Sequence, residues 1–157
     1  LAPATGGYAG VSALSPKEQA VSLLERMTPE ERVGQLFLIT FEGTNVGSDS
    51  LIDTLIKNQH IGGVVLLAEN DNFSYDGEKP ENTINTLLDM NHQLQTNAWN
   101  ASREPQLNPT LGEEFTPSYI PLFIGVSQEG DDYPNDQIMH GMTQLPNAMT
   151  MGATWDP

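Results

Sequence analysis

Three short apolar runs restrict this chain most: residues 36–41 (LFLITF), 64–68 (VVLLA) and 119–126 (YIPLFIGV). Each is rich in β-branched, aromatic or leucine side chains, lacks a regular polar alternation and is bounded by Gly- or Pro-containing turns, which predicts strands buried on both faces. Helical periodicity fills the intervals. Strand, helix, strand, helix, strand predicts a parallel sheet wrapped by helices, an α/β fold.

The helices announce themselves by their starts. "SPKE" at 15–18 and "TPEE" at 28–31 each place a hydroxyl N-cap, a Pro at the first helical position and a Glu three residues after the cap, the capping-box pattern. They predict a helix over 16–26 and a shorter one from Pro29. A third helix is expected over 48–58, with Leu51, Ile52, Leu55 and Ile56 on one face. Gly62 and Gly63 are expected to admit a sharp reversal into the second strand. A helix over 81–99 follows, its Ile84, Leu87, Leu88, Asn91, Leu94 and Ala98 at helical spacing, and then a Pro-containing loop over 100–118.

At 157 residues the chain suits one domain with a sizeable core. Six Lys and Arg stand against 21 Asp and Glu, a net charge of −15, so nucleic acid and anionic membrane surfaces are not expected partners. No Lys or Arg follows Arg103, which leaves an acidic or phosphorylated substrate without a cation in that third of the chain. Cysteine is absent, excluding disulfides and thiolate chemistry. No apolar run reaches the roughly 20 residues of a membrane span. The small, uncharged opening LAPATGGYAG predicts a flexible, exported amino-terminal stretch over 1–14 and an extracellular or cell-surface location; sequons at Asn72 and Asn100 do not decide it.

Candidate site residues cluster where strands end: Glu42, Glu69 and Glu129 each follow an expected strand. Glu129 as a catalytic acid would need a second carboxyl group roughly 5 to 9 Å away across a glycosidic bond. As a brace, Gln128 and Glu129 would bond neighbouring backbone groups; direct sugar contact is the third possibility. His60, His92 and His140 lack the spacing of metal ligands. Residues 72–77 (NFSYDG) resemble the start of a calcium loop, but Thr83 stands where the bidentate Glu belongs. Met139, Met142, Met149 and Met151 are read as adaptable packing. No metal or cofactor is expected.

Four segments, MTPEERVGQLFLITFEG (27–43), IKNQHIGGVVLLAEN (56–70), IPLFIGVSQEG (120–130) and LPNAMTMGATWDP (145–157), resemble in order and spacing the N-terminal part of family 3 glycoside hydrolases, the β-N-acetylhexosaminidase and β-glucosidase family. The resemblance covers nearly all of 15–157. It implies the first three strands of a (β/α)₈ barrel, incomplete in this chain, with a site at the carboxyl ends of the strands. It implies retaining hydrolysis of β-linked sugars by an Asp nucleophile and a separate acid/base, both beyond Pro157, so that no catalytic residue lies in this chain. Ser127, Gln128 and Glu129 are the implied substrate-binding residues. Ser127 replaces the family's sugar-binding Asp, and Asp132 stands where the family has Arg. The expected partners are a carbohydrate substrate and either the remaining barrel polypeptide or identical chains. A non-catalytic surface or assembly protein built on a degenerate barrel fragment is the alternative.

Overall fold

The computed structural model of the chain describes residues 14–73, 80–108, 111–130, 135–139, 141–143 and 146–154. The expected exported stretch, 1–14, falls outside them apart from Leu14. In chain order the elements are α1 (Pro16–Arg26), α2 (Pro29–Gly34), β1 (Leu38–Ile39), α3 (Leu51–Gln59), β2 (Gly63–Val65), a 3-10 turn (Ala68–Asn70), α4 (Pro80–Ala101), β3 (Gln106–Leu107), β4 (Glu114–Phe115), β5 (Phe123–Gly125) and α5 (Ala148–Ala153). β1, β2 and β5 form a parallel sheet in the order β1-β2-β5, and β3 and β4 pair antiparallel.

Both capping boxes form. Ser15 Oγ accepts from Glu18 N while Ser15 N donates to Glu18 Oε2, and Thr28 and Glu31 repeat the arrangement at α2. Glu31 does more than cap. Its carboxylate is buried, and while Oε2 accepts from Thr28 N, Oε1 accepts from Ser118 N at 2.7 Å, tying the α2 start to the segment that leads into β5.

The core lies between one face of the sheet and the pair α3 and α4. Register places Ile39, Val64 and Ile124 in one row and Leu38, Gly63 and Phe123 in the next; successive strand residues face opposite sides. The first row packs toward Ile52, Ile56, Met90 and Leu94, with Val64 fully buried. The second row does not meet the expectation of strands buried on both faces. Leu36 is 82% exposed, Leu38 61% and Phe123 74%, because no described helix covers that side. The paired strands are also shorter than the apolar runs that contain them.

The Gly-Gly pair works by close approach. A Cβ on Gly62 would lie 2.3 Å from Gln35 O, and one on Gly63 would lie 2.2 Å from Phe123 O, so neither tolerates a side chain there. The reversal expected of the pair belongs to His60, the left-handed C-cap of α3 at φ 52°.

The third and fourth helices shift slightly from expectation. Ser50 caps α3, its Oγ accepting from Asp53 N. α4 buries Met90, Leu94, Asn97, Ala98 and Ala101, whereas Leu88 and Asn91, expected on the same face, are exposed. Gln95 grips the backbone of Leu122 with both amide atoms, Nε2 donating to its O at 2.9 Å and Oε1 accepting from its N at 3.2 Å. The span expected as a plain loop, 100–118, contains the β3–β4 hairpin, docked where Gln106 Nε2 donates to Lys57 O.

Candidate functional site

Because β1, β2 and β5 run parallel, the segments leaving them emerge on one edge of the sheet: Glu42 after β1, Glu69 after β2 and Glu129 after β5. All three glutamates are exposed. What joins their loops is a set of buried amides. Asn72, 0% exposed, accepts from Leu67 N through Oδ1 at 2.9 Å and donates through Nδ2 to Phe41 O at 3.0 Å and Gly43 O at 2.8 Å. Gly43 N returns a bond to Asn70 O at 2.7 Å. The β1 and β2 ends are thereby one piece.

Gln137 extends that piece to β5. Its buried Oε1 accepts from Ala68 N at 2.8 Å and its own backbone N donates to Ser127 O at 3.0 Å. Asp136, also buried, accepts from Gly130 N through Oδ1 at 2.6 Å, holding the turn in which Gly130 takes φ 86°.

Two of the three expected substrate-binding residues are committed inside this loop. Ser127 Oγ donates to Asn135 O at 2.8 Å. Gln128 pairs with the backbone of Ile138 in both directions, each bond 3.1 Å, so the bracing reading describes Gln128. It does not describe Glu129, whose side chain points to solvent. Among the three, Glu129 alone presents a whole side chain outward. Ser127 retains only acceptor capacity, since its one hydroxyl hydrogen is used.

The edge is electrostatically one-sided. Among described residues no Lys or Arg occurs in the strand-end segments 40–50, 66–73 and 126–143. Arg32, Lys57 and Arg103 all precede strands, at the opposite end. An anionic ligand would meet carboxylates without a counter-charge; hydroxyl donors would meet acceptors.

The remaining candidates separate from this edge. His60 sits at the far end, half-buried, its ring 6.2 Å from that of Phe115. Burial holds its imidazole below the ordinary value, with Glu31 and Glu30 opposing. His92 is exposed on α4; His140 and most of the calcium-loop-like segment lie outside the described residues. No group of three or more metal-binding side chains occurs among the described residues. The reading of the methionines as packing fails for Met142, which is exposed, and for Met149 and Met151, which are exposed on α5, a helix that buries none of its residues. The Asn72 sequon is closed in the folded state, since its Nδ2 is buried between two carbonyls; Asn100 is exposed. No described helix is long and apolar enough to cross a membrane.

Asn72, Asp136 and Gln137 organise the edge, yet the sequence singled out none of them for it. The one available signal was their position, a short polar cluster following each strand.

The architecture is a small parallel α/β sheet with an acid-bearing edge at the strand carboxyl ends. It is similar to part of a glycoside hydrolase family 3 β-N-acetylglucosaminidase from Paenibacillus sp. str. FPU-7, with a TM-score of 0.57 and 24% sequence identity over 83% of this chain. The chain spans 19% of that protein's length. At this identity the likeness defines the fold. No family model matches the chain, and no curated protein matches it.

Proposed function

We propose that the chain is the N-terminal part of an exported glycoside hydrolase family 3-like protein that hydrolyses β-linked sugars with retention, and that these 157 residues are inactive by themselves. The observation that carries this reading is the structural likeness to a β-N-acetylglucosaminidase across 83% of the chain. The cation-free edge supports a neutral sugar as ligand, and Glu129 is its best-placed contact. The open face that carries Leu36, Leu38 and Phe123, with outer edges of β1 and β5 that pair with no strand among the described residues, supports a (β/α)₈ barrel completed by further polypeptide.

The test assays aryl β-glycosides with the 157-residue chain and with the longer polypeptide that carries it. Turnover by the longer form alone is expected. Hydrolysis by the isolated chain, surviving purification to one band, overturns the division of labour; no hydrolysis by either overturns the enzymatic reading. Cell fractionation tests export, and recovery with a cytosolic marker overturns it.

One observation favours a second reading, a non-catalytic surface or assembly protein: Ser127 and Gln128 spend their side-chain bonds on residues 135 and 138. On that reading the open sheet face pairs with identical chains. Light scattering by the isolated chain would then give a defined oligomer, and sugar binding would be absent.

A further inference from the structure

The three loops that carry Glu42, Glu69 and Glu129 come from parts of the chain far apart in sequence, and the side chains of Asn70, Asn72 and Gln137 connect them. Asn72 joins the β2 end to the β1 end, and Gln137 joins the β5 end to the β2 end across 69 positions. Gln137 is 4% exposed, so the Ala68 N–H that it satisfies has no access to bulk water. A shorter side chain at 137 would not reach it; an apolar one would leave it unsatisfied. The same residue fixes Ser127 through its backbone, two positions before Glu129.

We infer that Gln137 is a positioning residue: it sets the separation between the Glu69 segment and the Ser127–Glu129 turn, so that the edge meets a neutral, polyhydroxylated ligand already in its binding shape. The assignment rests on the sugar-binding reading proposed above. Gln137 touches no ligand itself. Its contribution is preorganisation, since an edge ordered beforehand loses less conformational freedom on binding than one that orders around the ligand. Asn72 passes the constraint on to the loop after β1. Loosening Gln137 is therefore expected to loosen residues 41–43 as well, through Asn72.

The experiment uses the full polypeptide that carries this chain, with methyl β-N-acetylglucosaminide as the probe in calorimetric titration. Gln137→Leu and Gln137→Ser are each expected to weaken binding on the order of tenfold, the Ser variant keeping a polar group in case the Leu variant does not fold. Gln137→Glu retains an acceptor of the same reach but buries a carboxyl group, so its affinity should return toward the parent's as pH falls and the side chain protonates, a dependence that a general packing role would not produce. Hydrogen exchange in the Ser variant should show faster exchange at both Ala68 and Gly43. Parent-like affinity in a folded Ser variant overturns the positioning role and leaves the functional reading standing. Absence of sugar binding by the parent itself overturns both. Faster exchange at Ala68 alone, with Gly43 unchanged, overturns the coupling through Asn72.

Discussion

The two ends of the sheet share directional bonds but differ in what they expose. At the carboxyl ends of the strands, buried amides from Asn72 and Gln137 bond directly to backbone groups, and the exposed charged side chains are all acidic among the described residues. At the amino ends, α2, the end of α3 and the β3–β4 hairpin enclose a groove of about 870 Å³ lined by Val33, Phe37, Leu55, Leu107 and Phe115, with His60 and Gln106 among its polar members. Directional bonds occur at both ends, since at the amino ends Gln35 Nε2 donates to His60 O, Gln106 Nε2 to Lys57 O and Ser118 N to Glu31 Oε1, but there an apolar groove accompanies them. Directional bonds fix spacing to within a few tenths of an ångström, which suits presenting polar groups. Apolar contact is non-directional, so the groove can adjust its width more readily than the edge.

The largest expected effect comes from breaking the carboxyl-end edge. Asn72→Leu should lower stability by about 3 to 4 kcal/mol, because Leu67 N–H and the Gly43 carbonyl lose their side-chain partner in a fully buried place, while Phe41 O keeps only its bond from Asn70 Nδ2. Urea denaturation of parent and variant measures it, and a loss below about 1 kcal/mol would mean that the two loops are held by something else. Glu31→Ala, at the other end, should cost less, about 2 to 3 kcal/mol, by removing the α2 capping box and the Ser118 bond together.

A smaller effect is expected from acid. Burial lowers the His60 pKa from 6.5, so just below that pH the unfolded chain binds more protons than the folded one. His60 therefore supports stability above about pH 6.5, and this support is lost as pH falls from there through the folded value. Glu30 and Glu31 reduce the shift, and the ring contact with Phe115 places any loosening at the groove. Denaturation midpoints across that window should fall more steeply in the parent than in His60→Asn, a substitution that tolerates positive φ; parallel slopes would exonerate His60. The smallest effect concerns the exposed Lys57–Glu104 pair at 2.6 Å: Glu104→Gln should change stability by less than about 0.5 kcal/mol, less still at high salt.

What the sequence revealed tracks how local the cause is. Both capping boxes were readable because cap and partner lie three residues apart. The strands were readable as apolar runs, but their faces were not: Leu38 and Phe123 look as apolar as Val64, and only the placement of α3 and α4 makes one row buried and the other open. The hairpin within 100–118 was missed because its paired segments are two residues long and carry no alternation. At the strand-end edge, the glutamates were legible from their position after each run. The amides that arrange them were not, since Gln137 acts on a residue 69 positions away and nothing near it in sequence marks the partner.

The double use of Glu31 has a consequence for the order in which the molecule assembles. Its Oε2 and backbone serve a cap closed over three residues, available as soon as α2 is made, whereas its Oε1 must meet a residue 87 positions later. Closing a loop of that length costs on the order of 4 kcal/mol in chain entropy, more than one charge-assisted hydrogen bond returns. The Ser118 bond therefore cannot recruit the segment before β5; it forms after the pairing of β5 with β2 and the grip of Gln95 on Leu122 have brought that segment in. During synthesis the carboxylate is half-engaged until the third parallel strand is in place, so full protection of the Ser118 amide from exchange marks the moment when β5 has joined β2.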